Sequence, residues 1–428
     1  MSTKKTRKKL NIIHPIFRIK GGAEKVIVDM SLWASSLYDV EVFTFFNDDY
    51  LKKLSKYTFI SESADKLFLS NLLGFKANPF INSLIKKLGK ELAHKSSADD
   101  IFLFSNFPAS IIFYEAVKIK PELRNAKSIF LCFEPDRLLY YKESKKLGYL
   151  PRELYSGKYH AAAFLLNYWK KHDREIVQNS NIITLSRFVN EQVETIYDKK
   201  AVKAFEHYTY LFDQKTKEEG LKNINQKFNL DIQKNELVFL SLGRLEHGKG
   251  IEQLIEIFKE LLGDKSVKDE SVKQLRLIIG GRGSLSKKVT ELIKNQDNHK
   301  DNSQDKINYL GFIPDENMRD IYSISDVFIF LGEKETGGPL TVIEAMGNNL
   351  AVLVPNDGGA AFEIVEDEKN GFITSLDKDS IKNKIQNIIE IYNGKKIDKI
   401  KANARSWVEK NATREKAKAD FLNYLKSV

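Results

Sequence analysis

IFLGEKETGGPLTVIEAMGNNLAVL, residues 329–353, has the order of one mechanical unit. The apolar run VFIF at 327–330 predicts a buried strand, and AVLV at 351–354 predicts the next one. Between them stand a loop with Glu333, Glu335, Gly337 and Gly338, and a helix opening at Pro339. Proline suits a first helical turn because its missing N–H has no partner there, and paired glycines let backbone come close to a ligand. A helix start of that kind favours phosphate, since free N–H groups and the helix dipole point the same way. Glu344 lies more than a turn inside the helix. From this stretch alone, an ordinary strand–loop–helix connection with solvated carboxylates reads equally well.

Working outward, short apolar runs alternate with amphipathic stretches along the chain, the pattern of βα units around a parallel sheet. Strands are expected at 10–14, 40–46, 101–104, 128–132 and 181–185, with a helix from Gly22 in the first unit. Residues 205–235 carry polar residues of weak periodicity, and a boundary is expected there. A second series opens with a strand at 237–245 and a helix at 251–262, whose apolar Ile251, Leu254, Ile255, Phe258, Leu261 and Leu262 recur at helical spacing. Strands at 275–279, 307–310, 327–330 and 351–354 follow. The expected fold is α/β, with two Rossmann-like domains facing across a cleft, the default ligand site. Residues 1–205 form the first domain and 206–412 the second. A final helix at 413–428 is expected to return to the first domain.

The 428 residues are enough chain for two to three domains, and 42% hydrophobic with 29% charged residues describes an ordinary globular protein. A single cysteine, Cys132, excludes an internal disulfide framework and fits a reducing compartment. The basic start MSTKKTRKKL is followed by too short an apolar run for export, and no run approaches a membrane span. A soluble cytoplasmic protein is expected. The net charge of +10 calls for an anionic partner or a solvated lysine surface. No nucleic-acid-binding motif accompanies it, so no nucleic acid is expected.

Four glycine turns carry candidate chemistry. GGAE at 21–24, which includes Gly22, joins strand to helix and is suited to receive phosphate. Gly243 and Arg244 end a strand, and Lys249 precedes a helix; two cations on one short loop suit a diphosphate clamp. GGRGSL at 280–285, with Gly281 and Arg282, mimics a dinucleotide fingerprint but lacks its third glycine, and is read as a nucleotide-facing turn. Gly358, Gly359 and Glu363 follow the strand at 351–354. Several such turns at corresponding sheet edges point to one large anionic ligand. Asp377 and Asp379 form a lone Asp-x-Asp that reads as helix capping, not a metal site.

GRLEHGKGIEQLIEIF, LRLIIGGRG and the run from INYLGF to KNGFIT, in this order, resemble the C-terminal half of the family 4 (group 1) glycosyltransferases, retaining enzymes of the GT-B architecture. GGAEKVIVDMSLWASSL and NSNIITLSRFVNEQVETIY resemble that family's first glycine loop and the segment before its domain crossover. The resemblance implies a sugar nucleotide donor as substrate, no metal and no cofactor. It implies that Arg244 and Lys249 hold the diphosphate as it leaves, and that Glu344 binds the ribose. The backbone from Gly337 to Thr341, including Gly338 and Leu340, would contact sugar and phosphate.

Two departures from the family pattern stand out. The family pairs two glutamates with seven residues between them, and counting back from Glu344 reaches Thr336, with Glu335 one position earlier; Glu335 is taken as the donor-sugar contact. Phe133 stands where the family usually writes histidine. A sugar-nucleotide-binding protein that has lost turnover, and a polyanion-binding protein sharing the fold, are the alternatives to a glycosyltransferase acting on a cell-envelope glycan or lipid-linked acceptor. For the acceptor, NPFINSLIKKLGKEL at 78–92 sets an apolar stripe among Lys86, Lys87 and Lys90. Such a helix either rests on an anionic membrane, making the protein peripheral there, or packs on its own sheet.

Overall fold

The computed structural model describes residues 7–17, 22–60, 79–136, 139–146, 158–209, 211, 215–263, 275–294, 306–333, 340–357, 359–394 and 396–428. The chain divides into two compact units, residues 1–206 with 418–428 and residues 207–417.

The first unit is built on β1 (Lys9–Ile13), β2 (Asp39–Phe43), β3 (Tyr57–Thr58), β4 (Ile101–Ser105), β5 (Lys127–Leu131), β6 (Asn181–Thr184) and β7 (Val202–Lys203), in the order β3-β2-β1-β4-β5-β6-β7. All its paired strands are parallel. Helices cover both faces of such a sheet, which is why runs like IFLF and SIFL are apolar without alternation. β2 ends at Phe43, earlier than expected, because Thr44 and Phe45 turn their amides to Thr58 and Pro15.

The second unit holds β8 (Leu237–Leu242), β9 (Leu275–Gly280), β10 (Ile307–Tyr309), β11 (Val327–Ile329), β12 (Ala351–Pro355) and β13 (Phe372–Thr374), in the order β10-β9-β8-β11-β12-β13, again parallel. Its core lies on both faces of the sheet. The helix Ile251–Gly263 buries Ile251, Leu254, Ile255, Phe258 and Leu261 as its spacing predicts, together with Ile257, while Leu262 is only partly buried. Each unit is therefore a Rossmann-like doubly wound sheet, with strand order reversing between β1 and β4 and between β8 and β11.

The helix Pro79–Lys95 answers one expectation. Ile81, Leu84, Leu88 and Leu92 are buried in the first unit's core, so these residues of the apolar stripe pack within their own domain, while Lys86, Lys87 and Lys90 stay exposed. The helix Arg414–Ser427 sets Phe421 against Trp33 and Phe205 of the first unit, with ring centroids 6.3 and 5.8 Å away. Tyr38 Oη donates to Leu425 O at 3.1 Å in the same contact. Among the described residues, no helix is long and apolar enough to cross a membrane.

Candidate functional site

Ligands of doubly wound sheets bind beyond the carboxyl ends of the strands where strand order reverses. In the second unit that edge is knitted from four loops. β8 stops at Leu242, three residues short of the expected end, because Gly243 leaves the ladder to meet the loop after β9. Gly243 N–H donates to Gly280 O at 3.1 Å, Leu245 N–H to Arg282 O at 3.1 Å, and Gly281 N–H to Gly311 O at 2.7 Å. Gly281 has φ +132°, and a Cβ there would lie 1.8 Å from Gly243 O, so this crossing admits only glycine. The β11 loop joins in, since Glu333 N–H donates to Gly248 O at 3.3 Å and Gly250, at φ +68°, packs on Leu331.

This framework carries the cations. Arg244 is exposed, and Lys249, partly exposed, holds its Nζ 5.9 Å from the Phe330 ring centre at the end of β11. The Arg282 guanidinium lies 5.5 Å from the ring of Phe312, itself 55% exposed. The Glu246 carboxylate accepts from Ser284 N–H at 3.1 Å and from the Ser284 hydroxyl, tying the β8 and β9 loops together.

The helix Leu340–Gly347 completes the edge after β11. Val342, Ile343, Ala345 and Met346 are buried, while Leu340, Thr341 and Glu344 stay partly exposed. Tyr322, on the helix Asp315–Ile324, donates to Glu344 Oε2 at 3.1 Å. Burial, with the Glu344 carboxylate beside it, pushes the Tyr322 phenol well up, so it remains a donor. Asp377 caps the helix Lys378–Asn393 by accepting from Ser380 N–H at 2.8 Å.

The structure thus brings Gly243, Arg244, Lys249, Gly281 and Arg282 to the same sheet edge as Leu340, Thr341 and Glu344, at the ends of adjacent strands β9, β8 and β11. Gly22 opens the helix Gly22–Ala34 of the first unit instead. Glu335, Thr336, Gly337 and Gly338, with Gly21, Pro339 and Gly358, lie outside the described residues. Tyr322, Phe330, Phe312 and Glu246 join this edge by contacts that no local pattern marks.

The corresponding edge of the first unit carries His14, directly after β1, and Ser105, which ends β4. His14 Nδ1 lies 2.6 Å from Ser105 Oγ, and the ring packs edge-on against Phe17 at 4.6 Å. Burial lowers the imidazole to about 4, against a smaller upward pull from the Ile16 carbonyl. Phe133, after β5, is buried, and its N–H donates to Asn106 Oδ1 at 3.0 Å.

Residues 222–407 match the family described as Glycosyl transferases group 1. The alpha-monoglucosyldiacylglycerol synthase of Acholeplasma laidlawii is 31% identical over 160 residues, 37% of this chain and 36% of that protein. The N-acetylgalactosamine-N,N'-diacetylbacillosaminyl-diphospho-undecaprenol 4-alpha-N-acetylgalactosaminyltransferase of Campylobacter jejuni is 29% identical over 206 residues, 48% of this chain and 51% of that one. The chain spans about a third to a half of the length of the curated relatives it matches first. Among solved structures, Anabaena HepE in complex with UDP and glucose superposes with a TM-score of 0.65 at 15% identity, over 99% of this chain and 100% of that one. That likeness is one of fold, two Rossmann-like domains in a single chain.

Proposed function

We propose that this protein, whose residues 222–407 match the group 1 glycosyl transferases, is a retaining, metal-independent glycosyltransferase. It moves a sugar from a sugar nucleotide to a glycan or lipid-linked acceptor in cell-envelope polysaccharide or glycolipid synthesis. The observation that carries the reading is the second unit's knitted edge: glycine loops that bring bare backbone to the strand ends, with Arg244 and Lys249 on one of them and Glu344 on the helix after β11. Cations there meet the charge that develops on a departing diphosphate, and positioned charge is the chief catalytic need of such a transfer. Glu344, which accepts from Tyr322, would accept from ribose hydroxyls in this reading. The two relatives whose names include a diacylglycerol and a diphospho-undecaprenol support a lipid-linked acceptor. The HepE complex makes UDP-sugars the first donors to try. The second unit is then the donor-binding domain and the first the acceptor domain.

Thermal stabilisation across a panel of UDP-, GDP- and ADP-sugars tests this. A ligand at ~100 Kd should add about 2.7 kcal/mol, and the Arg244→Ala, Lys249→Ala double variant should lose the shift. Absence of any shift in the unaltered protein would sink the reading.

A further inference from the structure

Lys127 opens β5, Asn181 opens β6 and Val202 opens β7, so all three stand at the amino ends of neighbouring parallel strands. With Lys199, Lys200 and Tyr424 they line a cavity of about 350 Å³ that belongs wholly to the first unit. That volume lies at the small end of the range for small-molecule pockets. Doubly wound sheets bind their usual ligands beyond the carboxyl ends of the strands, so this cavity is at the opposite edge.

Its charge is one-sided. Elsewhere, partly buried lysines of this chain meet carboxylates, as Lys217 and Lys401 meet Asp326. Among the described residues, no aspartate or glutamate side chain lines the cavity. Lys127 donates to the Val428 oxygen. Lys199 Nζ donates to Gln178 O and Ser180 O, both at 2.6 Å, and these neutral carbonyls leave its charge unpaired among the described residues. Burial lowers the Lys199 pKa, the mark of an ammonium that gains from a nearby anion. Lys200 is exposed and forms no ion pair among the described residues. Burial pushes the Tyr424 phenol up to about 12, so it stays a donor near pH 7. No acceptor among the described residues takes its hydrogen.

Lys199 and Lys200 bring positive charge to the cavity, and Tyr424 adds a neutral donor. A phosphate monoester carries close to two negative charges near pH 7 and three terminal oxygens, so it can meet both ammonium groups and the phenol at once. A carboxylate or a phosphodiester brings a single charge. Val202, 57% exposed, offers apolar contact to an organic body beside the phosphate. We propose that this cavity binds the phosphate monoester of a small organic molecule, with Lys199, Lys200 and Tyr424 holding the phosphate. The site does not depend on the glycosyltransferase reading and lies in the first unit, apart from the cations of the second.

Isothermal titration of the full chain with glucose 6-phosphate and with glycerol 3-phosphate, near pH 7 and at constant ionic strength, tests this. At least one ester should bind, and in protein with labelled valine methyl groups the Val202 signal should move with it. Lys200→Gln alters an exposed side chain and Tyr424→Phe removes a single hydroxyl, so both variants should fold. Each should weaken the bound ester roughly tenfold. The Arg244→Ala, Lys249→Ala double variant should bind it as the unaltered protein does. Loss of binding in that double variant, with binding kept in Lys200→Gln, would put the ester on the second unit and overturn the proposal. So would dimethyl phosphate binding as well as the monoesters, because the charge match would then play no part. Vesicles containing phosphatidic acid carry the same group on a lipid; binding to them and to neither soluble ester would overturn the small-molecule assignment. A Val202 signal that stays in place also sinks the site. None of these outcomes reads sugar nucleotide binding, so this proposal and the glycosyltransferase reading fail separately.

Discussion

Tyr322 donates its phenolic hydrogen to Glu344 Oε2 at 3.1 Å, joining two helices that flank β11. A carboxylate fixed in this way meets a ligand hydroxyl without first losing side-chain freedom.

Replacing Tyr322 by Phe removes the bond and leaves the packing. The expected cost is about 1 kcal/mol of stability, with sugar nucleotide affinity weakened roughly fivefold. Isothermal titration of the variant against the unaltered protein reads the second effect; equal affinities would mean that Glu344 needs no help from Tyr322.

Gly281 separates site geometry from general stability. A Cβ at Gly281 would lie 1.8 Å from Gly243 O, and φ +132° disfavours any side chain, whereas a Cβ at Gly263 meets nothing within 4 Å. Gly281→Ala should lower the unfolding free energy by about 2 to 4 kcal/mol, and Gly263→Ala should leave it nearly unchanged. Urea unfolding of both variants decides the matter.

Acid should destabilise the first unit in two steps. His14, lowered from 6.5 to about 4, binds fewer protons folded than unfolded, so its contribution is complete above pH 6.5 and is lost as pH falls towards 4. Burial alone would raise the Glu41 carboxyl, but bonds from Thr58 and Lys9 and the charges of Lys9 and Lys56 outweigh it and hold it at about 2. Its contribution is complete above pH 4.5 and is lost as pH falls towards 2. Each window represents on the order of 3 kcal/mol. Urea midpoints measured from pH 7 to 3 should fall across the first window, and His14→Asn should flatten that arm.

Asp173 is 1% exposed and accepts from Ser110 and Tyr140 and, at 2.9 Å, from Tyr197, which draws three helices together. Asp173→Ala strands three buried hydroxyls and should cost about 3 kcal/mol or more. A change below about 1 kcal/mol in chemical denaturation would mean that the hydroxyls find other partners.

Some of the architecture was legible without coordinates. Runs such as LVFL and IFLF announce doubly covered strands, and the apolar spacing of 251–262 announces a helix, because these signals repeat over a few residues. Glycine turns announce loops where backbone must come close. One local signal runs against the weakly periodic boundary expected at 205–235: Thr216 and Glu219 form a capping box that opens the helix Lys217–Phe228. Two-residue strands such as β3 and β7 are too short for any period to show.

By itself, then, the sequence determined the alternation of strands and helices, the glycine loops and the charged residues upon them, since each depends on neighbours within a turn or a strand. Only the tertiary structure decided that Leu242 ends β8, that Tyr322 grips Glu344 and that His14 meets Ser105 across 91 positions of chain. The physical reason is that such contacts follow from strand order. Parallel pairing places β1 beside β4 and β8 beside β11 through long crossovers, and no local pattern encodes which strands will be neighbours.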